Sequence, residues 1–109
     1  MDRYSMRISR EAELDILEIW NYIAEYDSFE SADHVLDMLE STITKIKENP
    51  GCGHLVPELE NVDIFTFFEF HCKPWRLIYK KEKQRILLFA VIDGRRHVQA
   101  VLQKRITRP

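Results

Sequence analysis

The sequence predicts an α+β fold in the order β-α-α-β-β-β(-α), with a helical hairpin packed on one face of a mainly antiparallel four-stranded sheet. Two windows of helical period, one from Glu11 to about Tyr26 and one from there to Asn49-Pro50-Gly51, are joined only by Tyr26-Asp27-Ser28, so the helices must lie side by side. Beyond residue 64 the pattern changes to short apolar runs divided by turn residues, which is the signature of strands. A length of 109 residues suits one domain spanning 1–109, and 45% hydrophobic with 31% charged residues is the balance of a globular chain rather than a disordered one.

Each element follows from a local pattern. Tyr4, Met6 and Ile8 alternate with Ser5, Arg7 and Ser9, as in a short strand with one buried face. Ala12, Ile16, Ile19, Trp20 and Ile23 then recur at helical spacing, with Leu14 and Leu17 widening the stripe. Asp27 followed by Glu30 has the form of a capping box, so the second helix is expected to begin there. Its apolar face is Ala32, Val35, Leu36, Leu39, Ile43 and Ile46, and Asn49-Pro50-Gly51 ends it because proline cannot donate the next hydrogen bond. Residues 50–64 carry Pro50, Gly51, Gly53 and Pro57 without a sustained period and read as an ordered loop.

Phe65, Phe67, Phe68 and Phe70 predict the next strand, and Pro74 marks an edge or bulge before the run from Trp75 to Lys80. Lys81-Glu82-Lys83-Gln84 is the simplest hairpin joint to residues 86–92, whose almost wholly apolar composition predicts a central strand buried on both faces. Gly94 releases the chain. Val98, Val101 and Leu102, with Arg105 in the last turn, suit a short terminal helix packed loosely on the sheet, leaving the sheet's second face available.

Charge is divided unevenly. Residues 71–109 hold eleven Lys/Arg against Glu82 and Asp93, whereas residues 1–70 hold five against sixteen acidic residues, a polarity that points to an anionic or acid-rich partner. No apolar stretch approaches the length of a membrane span, and Met1-Asp2-Arg3-Tyr4 has no apolar signal core, so a cytoplasmic address is expected. Cys52 and Cys72 lack metal-ligand spacing and are read as reduced thiols. His34, His54, His71 and His97 form no H-x-x-x-H or H-E-x-x-H pair, so neither a metal site nor a cofactor is expected.

Ala12-Glu13-Leu14-Asp15-Ile16 with Ile19-Trp20-Asn21-Tyr22-Ile23, Asn49-Pro50, Gly53-His54-Leu55-Val56-Pro57-Glu58-Leu59, Trp75-Arg76-Leu77-Ile78-Tyr79, Val91-Ile92-Asp93-Gly94-Arg95-Arg96, and Leu102 before Arg105 stand in an order and spacing that span nearly the whole chain. Together they resemble the RelE/ParE toxins of type II toxin-antitoxin modules, also called plasmid stabilisation proteins. The resemblance implies a toxin that inhibits growth and is silenced by a cognate antitoxin whose C-terminal segment wraps it. RelE-like members are ribosome-dependent mRNA endoribonucleases that work without metal. ParE-like members cut nothing and poison DNA gyrase by protein contact.

On the nuclease branch the resemblance places the candidate catalytic residues at Glu58 (general base), Arg76 (phosphate contact), and Arg95 or His97. A guanidinium could stabilise charge on a pentavalent phosphate, a carboxylate could take the ribose 2′ proton, and an imidazole could protonate the leaving oxygen. The plainer alternatives are an ion-paired strand arginine, a solvated loop carboxylate and a half-exposed histidine at a helix start. On the protein-binding branch Arg76, Arg95, Arg96 and Arg105 are the candidate partner-binding residues, within a basic tail that also holds Lys104 and Arg108. Arg105 could equally pair with a carboxylate of the helical hairpin, and the phenylalanines of residues 65–70 read as core rather than as a stacking platform for bases.

A nuclease acting inside the ribosome must approach dense phosphate, and RelE-type members are typically strongly basic. A formal net charge of −2 favours a protein target. The expected function is therefore ParE-like inhibition of DNA gyrase, with no enzymatic activity; RelE-like cleavage of mRNA on the ribosome and a degenerate, inactive toxin are the alternatives.

Overall fold

A computed structural model of the chain describes residues 4–107. The elements run β1 (Ser5–Ile8), α1 (Arg10–Tyr26), α2 (Phe29–Glu48), a single 3-10 turn (Pro50–Cys52), β2 (His54–Leu55), α3 (Pro57–Glu60), β3 (Phe68–Cys72), β4 (Trp75–Glu82), β5 (Arg85–Asp93) and α4 (Val98–Thr107). The sheet has five strands in the order β1-β5-β4-β3-β2, with β1 parallel to β5 and every other pair antiparallel. The expected α+β fold is present, with one strand more than expected because residues 54–55 pair with the end of β3.

The helical hairpin forms as its periodicity requires, although its second cap differs from the expected one. Ser28 Oγ accepts from the Ser31 amide and begins α2, while Asp27 closes α1 by donating its N–H to the Ile23 carbonyl. An Asp27 capping box would need residue 27 to serve two helices at once, and the tight joint gives it to the first. Ser9 caps α1 in the same way, accepting from Ala12. Between the helices, Trp20 Nε1 donates to Asp33 Oδ1 at 2.9 Å and the Trp20 ring stacks on Phe29.

Two cores sandwich the sheet. Under the hairpin lie Ala12, Leu39, Ile46, Leu77, Tyr79, Ile86, Leu88 and Val91. On the opposite face Val56, Leu59, Phe67, Ile78, Ala90, Ile92, Val98 and Leu102 form a second core, roofed by α3 and α4. That face is therefore covered rather than available, and Leu102 and Val98 seat α4 firmly on it. Complete burial of each large aliphatic side chain is worth about 1.5–3 kcal/mol, so α4 is an integral layer.

The apolar run of β5 is explained by its position. It is interior, between β1 and β4, although β4 and not β5 occupies the middle of the five strands. Tyr79 pairs with Leu88 but Ile78 with Ala90, so Phe89 is an extra residue on β5 and the strand feeds both cores. Pro74 sits in the two-residue turn between β3 and β4, joined to Lys73 by a cis peptide bond, and β3 begins three residues later than Phe65. Phe65 itself is exposed.

Gly53 is required by proximity. A Cβ there would collide with the Tyr79 hydroxyl and lie 2.5 Å from the Glu69 carbonyl oxygen. That hydroxyl donates to the Pro50 carbonyl, and burial pushes its pKa up to about 12, so it remains a donor at any physiological pH. No helix among the described residues is long and apolar enough to cross a membrane.

Candidate functional site

Alternation along β3 and β4 decides which groups meet. Phe68, Phe70 and Cys72, with Trp75, Leu77 and Tyr79, pack against the hairpin core, so Glu69, His71 and Arg76 project from the other face. There the short helix α3 brings up Glu58, and β2 brings up His54 opposite Glu69. Arg76 stands at the centre of this cluster. Its Nη1 and Nη2 donate to Glu58 Oε2 and Oε1 at 2.7 and 2.6 Å, a two-pronged pair, and its Nε donates to Glu69 Oε1 at 2.5 Å. The stem of Arg76 lies against Gly94, where a Cβ would come within 3.2 Å of Arg76 Cδ.

Glu69 is almost wholly buried at 1% exposure, an expensive place for a carboxylate without partners. Arg76 is one partner, and two histidines complete the set. His54 Nε2 is 2.9 Å from Oε2 and His71 Nε2 is 3.4 Å from Oε1, with the two rings edge to face. The hydrogen bonds from Arg76 hold the Glu58 carboxyl below its usual range, and they raise the guanidinium's own pKa far above its ordinary value.

A second ion-pair cluster ties α4 to α1. Arg105 donates from Nη1 and Nη2 to Asp15 Oδ2 and Oδ1 at 2.8 and 2.7 Å, and its Nε lies 2.9 Å from Glu11 Oε2. Asp15 also accepts the Val91 amide at 2.9 Å, satisfying a β5 donor beyond the point where β1 stops pairing. Arg105 is thus the structural partner of the hairpin and does not offer a free guanidinium to another molecule.

Of the sequence-predicted residues, Glu58 and Arg76 meet, but in a closed mutual pair. Arg76 does not belong to an exposed basic rim, because its side chain is only 13% exposed and all three of its nitrogens have carboxylate partners. Arg95 and Arg96 are exposed in the turn after β5. Arg95 binds Asp93 through Nε and Nη2, holding the Asp93 carboxyl down to about 2, yet keeps 79% of its side chain in solvent. His97 is exposed just before α4 and has no place in the Glu58-Arg76 pair. Lys104 is exposed, and Arg108 lies outside the described residues.

Arg95 and Arg96 rim a groove of about 610 Å³ between α1 and the ends of β4 and β5. Its walls include Ile19, Tyr22, Ile23 and Trp75, and the carboxylates of Asp15, Glu18 and Asp93 line it too, so an apolar floor meets an edge of mixed charge with Arg95 and Arg96 on its solvent side. Asp15 and His54 stand in the quoted segments without an assigned role, and Glu69 and the convergence of His54 with His71 carry no motif in the chain. Glu69-x-His71 does carry a signal in retrospect, since two residues apart on a strand share one face.

A family model described as ParE toxin of type II toxin-antitoxin system, parDE, matches residues 6–98. Among solved structures, the chromosomal ParDE TA system from P. aeruginosa is similar with a TM-score of 0.70 at 12% sequence identity, covering 84% of this chain and 96% of that one. At that identity the likeness is one of fold. No curated protein sequence matches the chain.

Proposed function

This chain belongs to the ParE toxin family of type II toxin-antitoxin systems, and we propose that it arrests growth in the cytoplasm by binding DNA gyrase rather than by cutting RNA. The gyrase target is inferred from membership of the ParE family, and the observation that weighs against cutting RNA is the closure of the Glu58-Arg76-Glu69 cluster. A general base works best with a pKa near the operating pH, whereas Arg76 moves Glu58 the other way. To contact a scissile phosphate, Arg76 would have to exchange two carboxylates for it, leaving Glu69 buried and without its cation.

A cognate antitoxin would silence the protein by filling the groove between α1 and the ends of β4 and β5. An amphipathic segment suits it, with apolar side chains against Ile19, Tyr22, Ile23 and Trp75 and acidic ones toward Arg95 and Arg96. Attraction to those exposed guanidiniums would speed encounter and make association sensitive to salt.

The test is a supercoiling assay with purified gyrase. Inhibition that grows with toxin and is reversed by antitoxin is the expected result, and unimpaired gyrase at excess toxin removes the reading. Codon-positioned cuts in mRNA when the toxin is added to a translating extract would establish the nuclease alternative instead. Induction without growth arrest would mark an inactive toxin.

A further inference from the structure

We propose that His54, Glu69 and His71 form a binding site for a divalent transition-metal ion of the zinc type, on the sheet face opposite the helical hairpin. The three ligand atoms lie within 4.8 Å of one another. His54 Nε2 and Glu69 Oε2 are 2.9 Å apart, and His71 Nε2 and Glu69 Oε1 are 3.4 Å apart. Ligand atoms around a tetrahedral zinc, each about 2.0–2.1 Å from the metal, are separated by about 3.3 Å. The two imidazoles approach different oxygens of Glu69 and the set spans up to 4.8 Å, so side-chain rotation must draw the three ligand atoms in around one ion.

The backbone explains why the three converge. His54 of β2 pairs directly across from Glu69 of β3, and His71 follows on the same face of β3 two residues later. Two imidazole nitrogens with one carboxylate oxygen form a donor set suited to Zn²⁺, Ni²⁺ or Cu²⁺, and poor for Mg²⁺ or Ca²⁺, which prefer all-oxygen shells.

The surroundings also fit. Arg76 donates to Glu69 and is itself clamped by Glu58, so the ligating carboxylate is held by a second layer of hydrogen bonds. With both imidazoles neutral, Glu58 and Glu69 set against Arg76 leave one negative charge, which a dication offsets. The His54 and His71 side chains are 60% and 42% exposed, giving the ion a path in and leaving its fourth position open to water or to a donor from a bound partner. A bound ion would staple the two-residue strand β2 to β3. This inference is independent of the toxin's target.

The experiment uses the full chain without a polyhistidine tag, stripped of metal, and Zn²⁺ alone as the probe in calorimetry and thermal melts. The expected result is saturable binding of one Zn²⁺ per chain, with a rise in Tm that EDTA reverses. The double variant H54A/H71A removes two exposed ligands together with two of Glu69's partners, so its metal-free Tm should fall, while circular dichroism should show the native fold retained at the titration temperature. Its Zn²⁺ affinity should fall at least about 100-fold, in line with the loss of two direct ligands. Co²⁺ should report the same site by visible d–d bands that the double variant lacks. The proposal is overturned if Zn²⁺ binding does not saturate, if the double variant binds as tightly as the parent, or if Mg²⁺ competes on equal terms.

Discussion

Replacing Arg76 by alanine tests whether the guanidinium at the centre of the β-face cluster is a structural cation or a group held ready for a partner. The substitution strands Glu69, whose side chain is 2% exposed, and releases Glu58, whose side chain is 28% exposed. Breaking a buried pair from one side costs about 3–5 kcal/mol, because the remaining charge loses its compensation. The Glu58 half is more exposed, is screened by solvent, and adds about 0.5–1 kcal/mol at most. A loss of about 4 kcal/mol is the working figure, a large fraction of the roughly 5–15 kcal/mol that holds a small domain together. Urea unfolding followed by tryptophan fluorescence, in EDTA so that no metal bridges the histidines, measures it by linear extrapolation. The second variant R76A/E69Q removes the stranded charge and should recover about 2 kcal/mol, since a neutral amide is far cheaper to bury. A loss below about 1 kcal/mol for R76A, or no recovery in R76A/E69Q, would refute the assignment of Arg76 to the interior.

Three further outcomes follow from the same geometry. Asp15→Asn should cost about 2–3 kcal/mol in denaturant unfolding, because Asp15 binds both the Arg105 fork and the Val91 amide. The double variant R95A/R96A should stay folded, losing only the solvent-screened Arg95–Asp93 pair, but associate with the antitoxin about three- to tenfold more slowly at low salt, a difference that shrinks as salt is added; equal on-rates in stopped flow would remove these residues from the docking edge. Acid should destabilise the protein in a defined window. The Glu58 carboxyl lies below its ordinary 4.5 through its Arg76 hydrogen bonds, and Asp93 is lowered from 3.8 to about 2 by Arg95. Both depressed groups favour the native state fully above pH 4.5, and that contribution is lost as pH falls from there toward 2. Glu58→Gln should flatten the upper part of that loss in pH-resolved unfolding, and an unchanged slope would contradict the pairing.

What could be read along the chain was what depends on neighbours in sequence. The hairpin helices are visible because residues three and four apart share a helix face. The three-residue joint between their apolar stripes already makes them adjacent, even though Ser28 rather than Asp27 supplies the cap. The two long strands are visible because apolar runs there are bounded by turn residues. Residues 54–55 escaped because a two-residue strand has too little pattern of its own and exists only by pairing with β3. The second core escaped for a related reason, since α3 is one turn long and Leu59 and Val56 acquire meaning only when Phe67 and Ile78 are placed opposite them.

The sequence by itself determined the fold class, the hairpin, the polarity of charge and the family. Local period and composition carry the first three, the order and spacing of short motifs carry the resemblance to the family, and none requires knowing which distant groups touch. The fate of the charged side chains was decided only in three dimensions. Glu58 and Arg76 are 18 residues apart, Asp15 and Arg105 are 90 apart, and His54 and Glu69 are 15 apart. Strand register brings His54 to Glu69, the docking of α4 brings Arg105 to Asp15, and the same folding leaves Arg95 and Arg96 in solvent. Arginines that look alike in the chain therefore separate into two that are neutralised inside the molecule and two that face outward, Arg95 among them despite its pair with Asp93, because a guanidinium's exposure is set by the elements the fold packs around it.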